Sequence, residues 1–103
     1  MPAKDYDAYL TKALQDAELA AAYLTAAMKN GNESFLVALR NVTVARGGIG
    51  KLAKKTKLGR QATYKMLSKR GNPTIATLSK VLKKLGLGLA CEPLSASKRK
   101  LSA

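Results

Sequence analysis

The chain has no histidine, no tryptophan, one phenylalanine, one cysteine and three prolines in 103 residues. Each shortage excludes something. Zinc is held mostly by His and Cys in sets of three or four, and this composition supplies no such set. A lone Cys91 closes no internal disulfide, and it reads as a small apolar residue in a reducing, cytoplasmic compartment. No apolar run approaches the roughly 20 residues of a membrane span. Asp5 and Asp7 stand at the N-terminus with no early apolar core, so a signal peptide is not expected. Acids are the most telling shortage. Six Asp and Glu face nineteen Lys and Arg, for a formal net charge of +13. From Ser34 to Cys91 there is no acid at all, against thirteen Lys or Arg. Catalysis needs a positioned acid, base, nucleophile or metal, so a chain without His and with this acid-free centre is not expected to be an enzyme or to need a cofactor or metal.

Of what is present, 47% is hydrophobic, and Ala and Leu supply most of it, which favours helix over sheet. The expected fold is all-α, a bundle of five or six helices with a short C-terminal strand at most. The expected division is an N-terminal helical extension over 1–31, a helix-turn-helix domain over 32–92 and a disordered basic tail over 93–103. Residues 1–5 read as a frayed end.

Tyr6, Leu10, Ala13 and Leu14 follow a helical period, which Leu19, Ala20, Tyr23, Leu24, Ala27 and Met28 continue. Asp16 is a candidate cap with Glu18 behind it, so residues 6–29 fit either one helix or two. Asn30-Gly31 stops the stripe. Asn32 is expected to cap a helix bearing Phe35, Leu36, Leu39 and Val42 and ending near Arg46. After Gly47-Gly48, Gly50 and Gly59 are expected to cap two short helices. Gly71-Asn72-Pro73-Thr74 reads as a turn whose Thr74 caps a helix with Ile75, Leu78, Val81, Leu82 and Leu85 on one face. Leu87, Leu89 and Cys91 alternate with Gly88 and Ala90, the pattern of a short strand that would pair with a second subunit.

The pair of short helices is the centre of the functional reading. Leu52 and Ala53 give the first a small apolar face, and Lys57-Leu58-Gly59 makes the turn with Leu58 pointing inward. The second buries Thr63, Met66 and Leu67 and turns Arg60, Gln61, Ala62, Tyr64, Lys65 and Ser68 outward. A small Ala before a tight bend lets two helices cross steeply, the geometry of a helix-turn-helix. An ordinary αα-hairpin with a solvated lysine face shows the same bare pattern. Solvated faces normally mix charge signs, whereas a field of one sign this dense points to a polyanion.

The segments Ala-Ala-Ala-Tyr-Leu-Thr-Ala-Ala (20–27), Leu-Val-Ala-Leu-Arg-Asn-Val (36–42) and Ala-Arg-Gly-Gly-Ile-Gly-Lys-Leu-Ala (45–53) occur in this order. They are followed by Thr-Tyr-Lys-Met-Leu-Ser-Lys-Arg-Gly-Asn-Pro-Thr (63–74) and Thr-Leu-Ser-Lys-Val-Leu-Lys-Lys-Leu-Gly-Leu (77–87). With these segments the chain, from about Ala17 to Pro93, resembles the addiction-module antidote proteins, antitoxins with a helix-turn-helix of the phage-repressor (lambda-repressor or Cro) type. The resemblance implies a homodimer that binds operator DNA, represses its own operon and neutralises a co-encoded RelE-type toxin, a small RNase. The recognition helix carries over to Arg60–Lys69. Three positions depart from the family pattern: Lys57 stands for the usual turn Gly, Gly59 for a capping Ser, and Gly50 for a Ser or Thr. Lys57 then needs a left-handed backbone at a cost on the order of 1 kcal/mol.

Base-reading positions are therefore expected at Arg60, Gln61, Ala62, Tyr64 and Lys65. Gln61 fits either adenine recognition or an ordinary surface position; Tyr64 fits either a thymine methyl or a phosphate. Phosphate contacts are expected from Lys51, Lys54, Lys55, Lys57, Ser68, Lys69 and Arg70. The dimer interface is expected at Leu78, Leu82, Leu85, Leu87 and Leu89. A stand-alone phage-type regulator without a toxin partner is the alternative, and a non-specific nucleic-acid packaging protein uses the same charge.

Overall fold

The computed structural model describes residues 3–94; the expectations for residues 1 and 2 and for most of the basic tail lie outside the described residues. The fold is all-α, with six helices in chain order: α1 Ala3–Ala13, α2 Ala17–Met28, α3 Asn32–Ala45, α4 Ile49–Thr56, α5 Arg60–Met66 and α6 Ile75–Lys84. No strand occurs among the described residues.

The stripe from Tyr6 to Met28 is two helices. Asp16 separates them by capping α2: its Oδ1 accepts from the backbone N–H groups of Glu18 at 2.8 Å and Leu19 at 3.2 Å. Leu14, just before this break, is buried. The helix α3 is the axis of the core. Phe35, Leu36, Ala38, Leu39, Val42, Thr43 and Ala45 are all buried on it, and α1, α2 and α4 pack against it. The helix α4 also packs on α5 and α6, which brings the second half of the chain onto the same core. Leu78, Val81 and Leu82 of α6, with Leu85 beyond it, complete that core.

Two caps differ from expectation. Gly31, at φ 108°, stands at the N-cap of α3, and Asn32 is the first helical residue. The Asn32 amide is used elsewhere, donating to the Gly71 carbonyl at 3.4 Å. Gly48, not Gly50, caps α4. Ile49 is then the first residue of the helix and is buried, so core packing moves the helix start two residues earlier. Gly48 also closes α3, its N–H donating to the Thr43 carbonyl at 2.8 Å while Gly47 takes φ 122°.

The end of α6 is a Schellman turn. Leu87 N–H bonds the Leu82 carbonyl at 2.8 Å, and Gly86 N–H bonds the Lys83 carbonyl at 3.1 Å. Thr74 caps the other end, accepting from Thr77 N–H at 3.1 Å. Ile75, expected on the buried stripe, is 73% exposed, because the first turn of α6 projects past the core. Beyond Gly86 the residues expected as a strand, Leu87–Cys91, form no ladder: an isolated extended segment has no neighbour in the chain to pair with.

Lys57 is the one non-glycine residue at positive φ among the described residues, at φ 61° and ψ 18°. A side chain in this conformation is strained by its own Cβ. Lys57→Gly is therefore expected to stabilise the fold by roughly 0.5–1 kcal/mol, part of the relief being offset by the greater freedom of Gly when unfolded. Urea denaturation checks this, and an unchanged or lowered midpoint would refute it.

Candidate nucleic-acid interface

With seven residues, α5 is far too short to persist alone. It is held by its inner face: Thr63, Met66 and Leu67 are buried, and Thr63 Oγ1 donates to the Gly59 carbonyl at 2.6 Å. The preceding helix is tied down the same way. Thr56 Oγ1 donates to the Leu52 carbonyl at 2.9 Å and is fully buried. Ala53 is buried, and its small side chain lets α4 and α5 approach. Leu58 packs against the core from the turn. No buried side-chain N or O among the described residues lacks a partner, so this half of the molecule is fully satisfied without a ligand.

That packing leaves Arg60, Gln61, Ala62, Tyr64 and Lys65 exposed on α5. Lys51, Lys54 and Lys57 join Arg60 around an open cleft of about 650 Å³ between α4 and α5. No described acid approaches them: the ion pairs among the described residues join Lys29 to Glu92 at 3.7 Å and Lys69 to Glu33 at 3.9 Å. An unopposed cluster of cations of this kind attracts phosphate-bearing polymers.

Other expected residues lie apart from this cleft. Lys55 lines a separate depression, shared with Arg46 and Lys84. Ser68 turns its hydroxyl back to the Lys65 carbonyl at 2.7 Å. This closes α5 at Met66, three residues short of the expected end, and leaves Lys69 and Arg70 in the exit turn. Lys69 reaches Glu33, an exposed pair worth little to stability. Leu78, Leu82 and Leu85 are buried in the chain's own core, so they offer no surface to a second chain. Leu87 is half-buried and Leu89 is exposed.

Arg40 is an addition that the sequence reading missed. From α3 its guanidinium lies 5.8 Å from the centroid of the Tyr64 ring, and Arg60 lies 5.9 Å from the same centroid. The available signal was the single cation of α3, with no acid three or four residues away to pair with it. Among the described residues, no group of three or more His, Cys, Asp or Glu is placed to hold a metal. No helix there is long and apolar enough to cross a membrane.

The fold and this surface define a small all-helical protein presenting an acid-free basic face on a pair of short helices. The chain belongs to the family described as "Probable addiction module antidote protein", whose model matches residues 4–93. An uncharacterized protein of Haemophilus influenzae is similar, at 36% identity over 85 residues covering 82% of this chain and 84% of that protein. No solved structure matches the chain. An antidote family implies a toxin as the partner to be neutralised, a role of binding rather than of catalysis.

Proposed function

We propose that the chain is a DNA-binding antitoxin that represses its own operon and neutralises a co-encoded RelE-type toxin. In this reading α4 and α5 form a helix-turn-helix, and α5 lies in the major groove of an operator. The observation that carries it is the surface of α5: Arg60, Gln61, Ala62, Tyr64 and Lys65 are exposed together beside a cleft of unopposed lysines. A hairpin with a merely solvated face has no need to exclude acids from its surroundings. Two chains bind one operator, with Leu87 and Leu89 at the contact between them, since both remain at least partly accessible.

Specificity and affinity separate in this arrangement. Gln61 and Lys65 read base edges, so Gln61→Ala or Lys65→Ala is expected to cost about 1–3 kcal/mol on the operator and far less on a scrambled duplex. Lys54→Ala removes a phosphate contact, weakens both duplexes alike and flattens the salt dependence by about one unit of slope. The measurement is a titration of the duplex upstream of the protein's own reading frame, and of its scrambled counterpart, at two salt concentrations, with the stoichiometry read as chains per duplex. Equal losses on both duplexes for Gln61→Ala and Lys65→Ala would reduce α5 to an electrostatic handle. The toxin half of the proposal is tested by growth: co-expression should rescue cells from the product of the neighbouring reading frame, and failure to rescue refutes it.

A further inference from the structure

Arg40 has no place in the usual account of a two-helix DNA reader, being a residue of the central core helix. Its surroundings place it at the same surface. Three links join the outer side of α3 to α5 and its exit turn: Asn32 to the Gly71 carbonyl at 3.4 Å, Glu33 to Lys69 at 3.9 Å, and Arg40 to the Tyr64 ring at 5.8 Å. Arg60, the first residue of α5, meets that ring at 5.9 Å.

Two guanidiniums are thus gathered on one aromatic ring. They repel each other, and no described carboxylate lies within ion-pair distance of either. The ring's negative face offsets part of that repulsion. Phosphate anions bound at these guanidiniums would lower it further. Guanidinium is the group best suited to phosphate, since its planar fork gives two parallel hydrogen bonds.

We propose that Arg40 and Arg60 form a phosphate clamp assembled on the Tyr64 ring, and that its ligand is a backbone phosphate of duplex DNA. The proposal rests on the DNA-binding reading given above. It assigns Arg40 to the interface, and it makes Tyr64 a positioning residue whose ring holds two arginines in place. The two options open to Tyr64 from the sequence, a thymine methyl or a direct phosphate contact, give way to this third.

The test is a salt-dependent titration of the full chain against the duplex upstream of its own reading frame and a scrambled duplex. Arg40→Ala is expected to weaken both about three- to tenfold and to lower the salt slope by about 0.9. Tyr64→Phe keeps the ring and should lose less on both duplexes than a variant that removes it. Tyr64→Leu should lose roughly two- to fivefold on both duplexes while melting normally by circular dichroism. In the double variant, Arg40→Ala should cost less than it does alone, because without the ring Arg40 is no longer held.

A second arm uses nuclear magnetic resonance on the DNA-free protein. Tyr64→Leu should move the Nε–Hε resonances of both Arg40 and Arg60, and Tyr64→Phe should not. Inorganic phosphate exchanged for chloride at constant ionic strength distinguishes the source of the anion. If it shifts both resonances while Arg40→Ala leaves duplex binding unchanged, the clamp takes free phosphate and the DNA assignment is overturned. If phosphate shifts neither resonance and Arg40→Ala leaves slope and affinity unaltered on a duplex that the wild type binds, the clamp fails and the DNA reading stands. Absence of wild-type binding to any duplex overturns both.

Discussion

Gly71→Ala is expected to be the most damaging single-methyl change in the chain. Gly71 is buried in the turn that leaves α5, where its N–H donates to the Ser68 carbonyl at 2.9 Å. An added Cβ would overlap the Met66 carbonyl oxygen and lie 2.8 Å from the Met66 carbonyl carbon. Both are backbone atoms of the last residue of α5, so no side chain can swing aside to make room. The helix end would have to move, drawing Met66 and Leu67 out of the core. Overpacking typically costs about 1–3 kcal/mol, and a clash against backbone belongs at or above the top of that range. Against a total stability of roughly 5–15 kcal/mol this is a large fraction. Urea denaturation measures it. Gly88→Ala is the control, since a Cβ there meets nothing within 4 Å and the expected change is near zero. A Gly71→Ala midpoint equal to that of Gly88→Ala would refute the packing argument.

Arg46→Met is expected to follow in size. Arg46 Nε donates to the Leu85 carbonyl and one of its Nη atoms to the Gln15 carbonyl, both at 2.7 Å. Leu85 is the C-cap of α6, and Gln15 lies in the joint between α1 and α2. One side chain thus ties the last helix and the first joint to the end of α3. Hydrogen bonds to charged groups contribute about 1.5–3 kcal/mol each, and the bond to Gln15 is exposed. A total loss of about 2–4 kcal/mol follows. Met keeps the apolar stem and removes only the two bonds. Lys keeps the charge, but its single ammonium does not match the fork, so Arg46→Lys should fall between the two. Because Arg46 is spent on these carbonyls, its replacement should leave the salt slope of DNA binding unaltered. A drop in slope with little loss of stability would invert the assignment.

The contrast between Arg46 and Lys54 shows how far the sequence carried the reading of function. As charges in an acid-free stretch the two look alike. Only the structure separates a cation tied to two helix ends from one lining an open cleft. Arg40 is the opposite case, a charge on a core helix that folding brings to the ring of a residue twenty-four positions away. Neither assignment was legible, because both depend on contacts between segments distant in the chain.

Local features were legible wherever one residue's own chemistry settles them. The Asp16 carboxylate and the Thr74 hydroxyl cap the helices that follow them. Lys57 takes the left-handed backbone that a three-residue turn requires. On α5 the period of the apolar residues separated Thr63, Met66 and Leu67 from the exposed face.

Where two local options were close in energy, packing decided. Gly48 and Gly50 serve almost equally as caps, and the burial of Ile49 selected the first. Leu78, Leu82 and Leu85 form a stripe that serves a core or a partner equally well, and the chain's own core, with α4 packed on α6, reached it first. The sequence by itself determined an all-helical chain, most of its helix ends and an acid-free basic half, because propensity, capping and charge act within a few residues. The tertiary structure alone decided which apolar stripes are consumed by the core and which cations are spent on carbonyls. It also decided which cations remain beside one another on the surface, since burial and long-range hydrogen bonds exist only after the helices pack.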